Sequence, residues 1–379
     1  MSLDVVRHLA GTIGPRPAGS PGENKAAQYL DGLFRGLGFS TELQRFRYVG
    51  WRPLAQPRLD VLAPVQTTLP SAPMPWTDST PSDGVLGQLR PAGIAYLIPG
   101  VNEWPKFEIV NEADQLIGEI VANVDGPAIP FPSDAPPFLV PGVVVGRKEM
   151  RRIQKWLDRN QRVLVRLSNS CEYVPGFEST NVIANLPDRQ VGNKNDVLVI
   201  CAHHDSALGS PGAEDNASGV EALVRVATEL TDRSCPVAVR FISFAAEECA
   251  IFGSRYYVRR LRERGELGRV KGVINLDMIG AGEFVWLFYG PETVRTGLEA
   301  AVEFSGLADR FPIKYDHPLG PSSDHWPFYD LGVPCTFFLL WPYPSYHSRT
   351  DVPDKISEDT IDAVARAVVY LAENWGELG

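Results

Sequence analysis

The segment DVLVICAHHD, residues 196–205, decides how the fold is read. Val197 to Ala202 form an unbroken apolar run, too short for a typical helix and rich in β-branched residues. It fits a strand buried on both faces of a parallel sheet. The run ends abruptly in His203, His204 and Asp205. Segments of the same texture recur at STNVIANL (179–186), PVAVRFISFAAEE (236–248), GVINLDMIG (272–280), FVWLFYG (284–290) and VPCTFFLLW (333–341). Helical patterns lie between and after them. Val220, Leu223, Val224, Ala227 and Leu230 make one apolar stripe, and Ile361, Val364, Ala365 and Val368 make another within 357–375. Strands alternating with amphipathic helices specify an α/β sheet.

Upstream the texture changes. Half of the 32 prolines fall between Pro53 and Pro141, where short apolar runs such as IAYLIPG (94–100) and IGEIVANVDG (117–126) read as strands of a β-rich unit. VPGVVVG (140–146), a short helix KEMRRIQKWL (148–157) and a strand RVLVRLS (162–168) close that stretch. Ahead of it, NKAAQYLDGLFRGLG (24–38) places Leu30, Leu33, Phe34 and Leu37 on one helical face, with Gly38 suited to the position after the helix. The length of 379 residues allows two domains or one domain with an insertion. The expected organisation is a discontinuous domain, 1–52 with 172–379, interrupted by a smaller β-rich insert at 53–171.

A net charge of −10, with no long run of Lys and Arg, argues against nucleic acid as a partner. Five dispersed cysteines, an odd number without a CxxC pair, argue against a disulfide framework and for a reducing compartment. MSLDVVRHLAGTIGPRPAGS has no basic segment followed by an apolar one, and no window approaches 18 apolar residues. The expectation for the chain as given is a cytoplasmic protein with no membrane partner.

Open α/β sheets bind ligands outside the carboxyl ends of their strands, and that is where the chemistry-bearing residues sit. His203 and Asp205 end one strand, Asp215 lies in the loop that follows, Glu247 and Glu248 end another, Asp277 ends VINLD, and His347 follows the last strand. A His and carboxylate set without cysteine suits a catalytic zinc or similar divalent ion rather than a closed structural site. The count accommodates two ions. One carboxylate would bridge, and a water shared between the ions would lose a proton near neutrality. Alternation along an extended backbone would send Glu248 to a metal and leave Glu247 on the substrate side as general base. Asp215 has a competing role as N-cap of the helix beginning near Ala217.

The ordered motifs AHHDS, DNASG, AAEE, NLDMIG, SSDHWPF and YHSRTDVPDKI resemble the M28 family of co-catalytic zinc metallopeptidases, and GPRPAGSPGENKAAQYL resembles its N-terminal segment. The resemblance covers about residues 10–50 and 179–375. It implies a mixed, mostly parallel sheet flanked by helices, and an exopeptidase acting on peptides. Carried over by position, Asp215 would bridge two Zn²⁺ ions. His203 and Asp277 would complete one site, Glu248 and His347 the other. Glu247 would be the general base, and Asp205 would orient the His203 imidazole. Tyr346 resembles a tyrosine that in some members hydrogen-bonds the oxyanion. His204 and the Ser323, Asp324 and His325 segment are expected to be neighbours rather than ligands. The insert resembles a protease-associated domain loosely and is expected to act as a lid.

The leading reading is an aminopeptidase. A carboxypeptidase or dipeptidase of the same family would need a cation for the substrate carboxylate, with Arg349 as candidate. A glutaminyl-cyclase-like acyltransferase would use one zinc, which the presence of both His203 and Asp277 disfavours. A receptor ectodomain with lost ligands is disfavoured because every ligand position is filled. Side-chain preference and oligomeric state are not read from the sequence.

Overall fold

The structure, a computed structural model, describes residues 3–96, 103–124, 126–130, 140–187 and 191–375. The chain divides into two compact units, Met1–Arg47 with Glu178–Gly379, and Tyr48–Phe177. The limits expected for the insert, 53 and 171, lie a few residues inside this division, which passes through two strands, β1 (Ser40–Pro53) and β10 (Cys171–Asn185). β1 alternates buried and exposed residues from Gln44 to Gly50 without a break, so nothing in its sequence marks the junction.

The helix Pro21–Gly36, which follows the helical segments Asp4–Val6 and Arg7–Ile13, starts where Ser20 accepts from the Glu23 N–H at 3.2 Å, with Pro21 in its first turn. The Glu23 carboxylate reaches back to the Gly19 N–H, at 3.2 Å. Gly38, at φ +87°, takes the left-handed conformation that turns the chain toward β1.

Within the Tyr48–Phe177 unit, β2 (Arg58–Ala63), β3 (Thr67–Leu69), β4 (Ser71–Pro73), β5 (Val85–Tyr96), β6 (Glu103–Val110), β7 (Leu116–Ala122), β8 (Gly142–Val145) and β9 (Leu164–Ser168) form one eight-stranded sheet. Its order is β3-β2-β9-β5-β6-β7-β8-β4, antiparallel except where β7 and β8 run together. Leu59, Ile109, Ile120, Val165 and Leu167 make its core with Met150 and Ile153 of the helix Arg147–Asp158. Of the expected run 94–100, β5 includes 94–96, and the rest lies outside the described residues.

The other unit adds β11 (Val191–His203), β12 (Cys235–Phe244), β13 (Val270–Leu276), β14 (Phe284–Gly290), β15 (Ile313–Asp316) and β16 (Cys335–Trp341). The sheet runs β1-β10-β12-β11-β13-β16-β14-β15. β12, β11, β13 and β16 are mutually parallel, and β10 and β14 join them antiparallel, which gives a mixed, mostly parallel sheet. The apolar run of β11 explains itself in this setting. Leu198, Ile200 and Ala202 enter the core beneath the helices Pro21–Gly36, Gly219–Leu230 and Glu358–Asn374. Val197, Val199 and Cys201 enter the opposite core with Tyr257, Val258 and Leu261 of the helix Phe252–Glu263. Both faces are covered, so every position is apolar. Parallel register then brings the carboxyl ends to one edge: His203 lies opposite Phe244, and Cys201 opposite Asn275. No described helix is long and apolar enough to cross a membrane.

One close approach holds the chain just beyond β12. Asn181 accepts from the Ala245 N–H at 3.0 Å and donates to the Gly253 carbonyl at 2.9 Å. A Cβ at Gly253 would lie 2.1 Å from the Ala245 oxygen and 2.5 Å from Asn181 Oδ1. Gly253→Ala is therefore expected to cost about 1–3 kcal/mol of stability, read as a lowered Tm; a variant melting with the parent would refute the contact.

Candidate metal centre

The predicted residues arrive at the sheet edge by different local routes. His203 is the last residue of β11, and Asp277 follows β13 directly. Glu247 and Glu248 do not continue β12 as an extended segment. The strand stops at Phe244, Ala246 turns at φ +56°, and the two glutamates occupy the turn. Their divergence therefore comes from the turn rather than from strand alternation. Met278 and His347 also have positive φ, +55° and +53°. Left-handed non-glycine residues cost of order 1–3 kcal/mol each; Trp76, Asp114 and Asn160 of the Tyr48–Phe177 unit also adopt this conformation, but Ala246 and Met278 adjoin Glu247 and Asp277, and His347 is itself in the cluster.

Asp215 is not the cap of the following helix. Its backbone is non-helical, at φ −111° and ψ 89°, and that helix has no side-chain cap from Ser218, its N-cap residue. Asn216 serves the neighbouring backbone instead. Its Oδ1 accepts from Gly219 at 2.9 Å and Met278 at 3.1 Å, and its Nδ2 donates to Leu276 at 2.9 Å. The Asp215 carboxylate is thereby left to the cluster.

Its two oxygens face two imidazoles. Asp215 Oδ1 is 3.2 Å from His203 Nε2, and Oδ2 is 2.8 Å from His347 Nε2. His203 Nε2 is also 3.3 Å from Asp277 Oδ1, and His347 Nε2 is 3.2 Å from Glu248 Oε2. His203, Asp215 and Asp277 form one set of converging donor atoms, and Asp215, Glu248 and His347 another, each within 4.8 Å. Glu247 Oε2 stands 3.8 Å from His203 Nε2.

These residues fit divalent cations on three grounds. The donors are imidazole nitrogens and carboxylate oxygens. Both ring nitrogens of His203, Glu248 Oε1 and Asp277 Oδ1 are buried without a well-formed hydrogen bond, and buried polar atoms left unpaired are costly. The carboxylates also outnumber the imidazoles. Burial by itself would lower the His203 pKa, but Asp277, Glu247, Asp205 and Asp215 overcome it and raise the value well above normal. Burial, then the Asp215 charge, raises Glu248 well above the carboxylate range. Asp215 moves down: burial opposes ionisation, and the adjacent imidazoles of His203 and His347 prevail.

Surrounding groups hold the donors. Asp205 Oδ1 lies 3.5 Å from His203 Nδ1, and its two oxygens accept from the Glu247 and Glu248 N–H groups at 3.1 and 3.2 Å. It thus ties the β11 end to the glutamate turn. Ser323 donates to Asp277 Oδ2 at 2.8 Å and accepts from Asn275 at 2.8 Å. Asp324 is fully buried, and burial pushes its carboxyl up to about 7. His325 stacks on Phe337 and meets the Gly320 carbonyl at 3.0 Å; burial lowers it to about 4, so its ring is neutral. His204 points away from the cluster, to Ser243 at 2.9 Å and Glu23 at 3.3 Å. Tyr346 packs against the His347 ring at 3.8 Å, and burial with the carboxylates around it raises its phenol pKa well above normal, so the O–H is kept. Asp351 is a residue the sequence reading missed. It accepts from the Glu214 and Asp215 N–H groups at 2.8 and 3.2 Å; its place four residues after His347 carried no sign of that.

Aminopeptidase YwaD of Bacillus subtilis (strain 168) is 27% identical, covering 98% of this chain and 84% of its own length. The structure of the aminopeptidase from Aneurinibacillus sp. strain AM-1 matches with a TM-score of 0.73 at 26% identity, over 98% of this chain and 92% of that one. BSAP, described as a zinc aminopeptidase from Bacillus subtilis, shares the fold with a TM-score of 0.74 at 22% identity, over 99% of this chain and 94% of its own. The model of peptidase family M28 matches residues 181–372, from the middle of β10 to the last helix. This chain belongs to peptidase family M28.

Proposed function

We propose that this chain is a metal-dependent aminopeptidase that hydrolyses the N-terminal bond of peptides at a two-zinc centre. The observation that carries this reading is Asp215, set between two donor groups with one oxygen toward each imidazole. His203, Asp215 and Asp277 would hold one ion; Asp215, Glu248 and His347 the other. Zinc is favoured by the donor set and by the description of BSAP, with which the chain shares its fold. Bound there, the ions would polarise a peptide carbonyl and lower the pKa of an attacking water.

The remaining work falls to the chain's own groups. Glu247, whose Oε2 is 3.8 Å from His203 Nε2, would take the proton of that water on its carboxylate and pass it to the departing amine. Asp205 accepts from the Glu247 N–H and faces His203 Nδ1 at 3.5 Å, so one carboxylate adjoins both the base and a ligand. Tyr346, which keeps its proton beside His347, would donate to the oxyanion. Arg349, the cation that a carboxypeptidase reading required, is exposed, and the relatives named above are aminopeptidases.

Hydrolysis of free and N-blocked peptides, with and without chelator, tests the assignment. Free peptides should be cleaved and blocked ones spared, with activity lost on chelation; equal cleavage of blocked peptides removes the aminopeptidase reading, and chelator-resistant activity removes the metal. Glu247→Gln should keep its zinc while kcat falls roughly 10²–10⁴-fold; near-parental turnover would exclude Glu247 as the base. The raised pKa values of His203 and Glu248 set a sign for metal uptake. Below those values both groups carry protons, which must leave for zinc to bind. Zinc affinity should therefore rise with pH, with net proton release at pH 7 measurable by calorimetry in buffers of different ionisation enthalpy; zero release would contradict it.

A further inference from the structure

Arg16, in the N-terminal stretch GPRPAGS, is fully buried. Its guanidinium makes all of its hydrogen bonds to backbone carbonyls. Nε donates to His204 at 2.8 Å; Nη1 to Leu9 and Gly14 at 3.0 Å and to Pro211 at 2.6 Å; Nη2 to Gly212 at 3.0 Å. Its own N–H donates to Ser206 Oγ at 2.9 Å. Burial lowers its pKa to about 10, against the raising influence of Asp351, Asp205, Asp215 and Glu248, so it remains a cation at neutral pH. A buried charge that touches no carboxylate is expensive, and its placement calls for a reason beyond packing.

The loop it grips supplies one. Pro211 and Gly212 turn their carbonyls toward Arg16, while Glu214 and Asp215, two and three residues beyond Gly212, turn their N–H groups toward the Asp351 carboxylate. The peptide dipoles of this loop are thus strung between a buried cation and a buried anion. Arg16 also holds the carbonyl of His204, the residue after His203, and Asp351 lies in the loop of His347. Tyr343 O–H donates to Asp351 Oδ1 at 2.9 Å, the same oxygen that accepts from the Glu214 N–H.

We propose that Arg16 and Asp351 form a positioning pair of opposite charge that holds Asp215 between His203 and His347, and so sets the spacing of the two metal positions. The proposal rests on the metal-centre reading above. Neither is among the proposed metal donors; Asp351 acts through the Asp215 N–H, and Arg16 through the carbonyls of residues that neighbour the ligands, His204 beside His203 and Pro211 and Gly212 ahead of Asp215. Arginine suits the first role because its planar fork has five donors, and here it serves five carbonyls from three segments, whereas lysine offers three donors from one point.

Arg16→Lys keeps the charge and removes the fork; Asp351→Asn keeps the shape and removes the charge. Zinc affinity of each, measured by competition with a chromogenic chelator, should fall roughly 10–100-fold in protein that still melts cooperatively. The visible spectrum of the Co²⁺-substituted protein should change as well, which a purely structural role would not produce. Folded variants that match the parent in zinc affinity and Co²⁺ spectrum would overturn the pair. If Arg16→Lys does not fold, Asp351→Asn decides by the same two readouts. If neither folds, the proposal is also overturned, since the residues would then serve the fold rather than the site. A parent chain that binds no zinc defeats the metal-centre reading itself, whereas a parent that binds zinc beside unaffected variants defeats only the pair.

Discussion

Five carboxylates, those of Asp205, Asp215, Asp277, Glu247 and Glu248, converge at one edge of a sheet with the two imidazoles of His203 and His347 to answer them. Groups of like charge this close and this buried cannot all stay ionised unless protons or cations neutralise them. In the protein alone that demand appears as raised pKa values at His203 and Glu248. With divalent cations it would be met by coordination, and the orphaned donor atoms would gain partners. The site is thus unfavourable as a piece of protein and favourable as a cation receptor, and much of the surrounding architecture serves to keep it from relaxing.

Three restraints do so. The doubly covered parallel sheet fixes where β11 and β13 end, because their apolar residues are locked into cores on both faces. Asp205 and Asn181 then hold the turn after β12, one through the glutamate N–H groups and the other through Ala245 and Gly253. The loop that bears Asp215 has no sheet to hold it. It is fixed instead by Asn216, Arg16 and Asp351, through hydrogen bonds to its own backbone and to the backbone beside it. Charge at the centre is therefore matched by directed backbone dipoles around it.

Much of this was legible in the sequence because it has local causes. An apolar run ending in His203 and an acid ending a strand at Asp277 are visible without a partner, since a strand buried on both faces must be apolar up to the point where it leaves the core. The ordered motifs then identified the set. What escaped has causes distant in sequence. Glu247 and Glu248 were read as extended, yet Ala246 turns the chain, and alanine carries no signal for a left-handed turn. Arg16 and Asp351 meet the Asp215 loop from about 200 and 140 residues away; both lie in segments that carry the family resemblance, but nothing local to either shows that they meet. β1 and the division within it were missed because its alternation continues through the boundary.

Residue order by itself determined the α/β class and the polar strand ends, because burial writes itself into local composition and periodicity, and its ordered motifs carried the resemblance to the family. Only the tertiary structure decided that Asp215 faces both imidazoles rather than capping a helix, that Asp205 holds the glutamate turn while facing His203, and that a buried arginine belongs beside the centre. Those outcomes depend on where separate segments place their dipoles and charges, and a one-dimensional pattern records the groups without their directions.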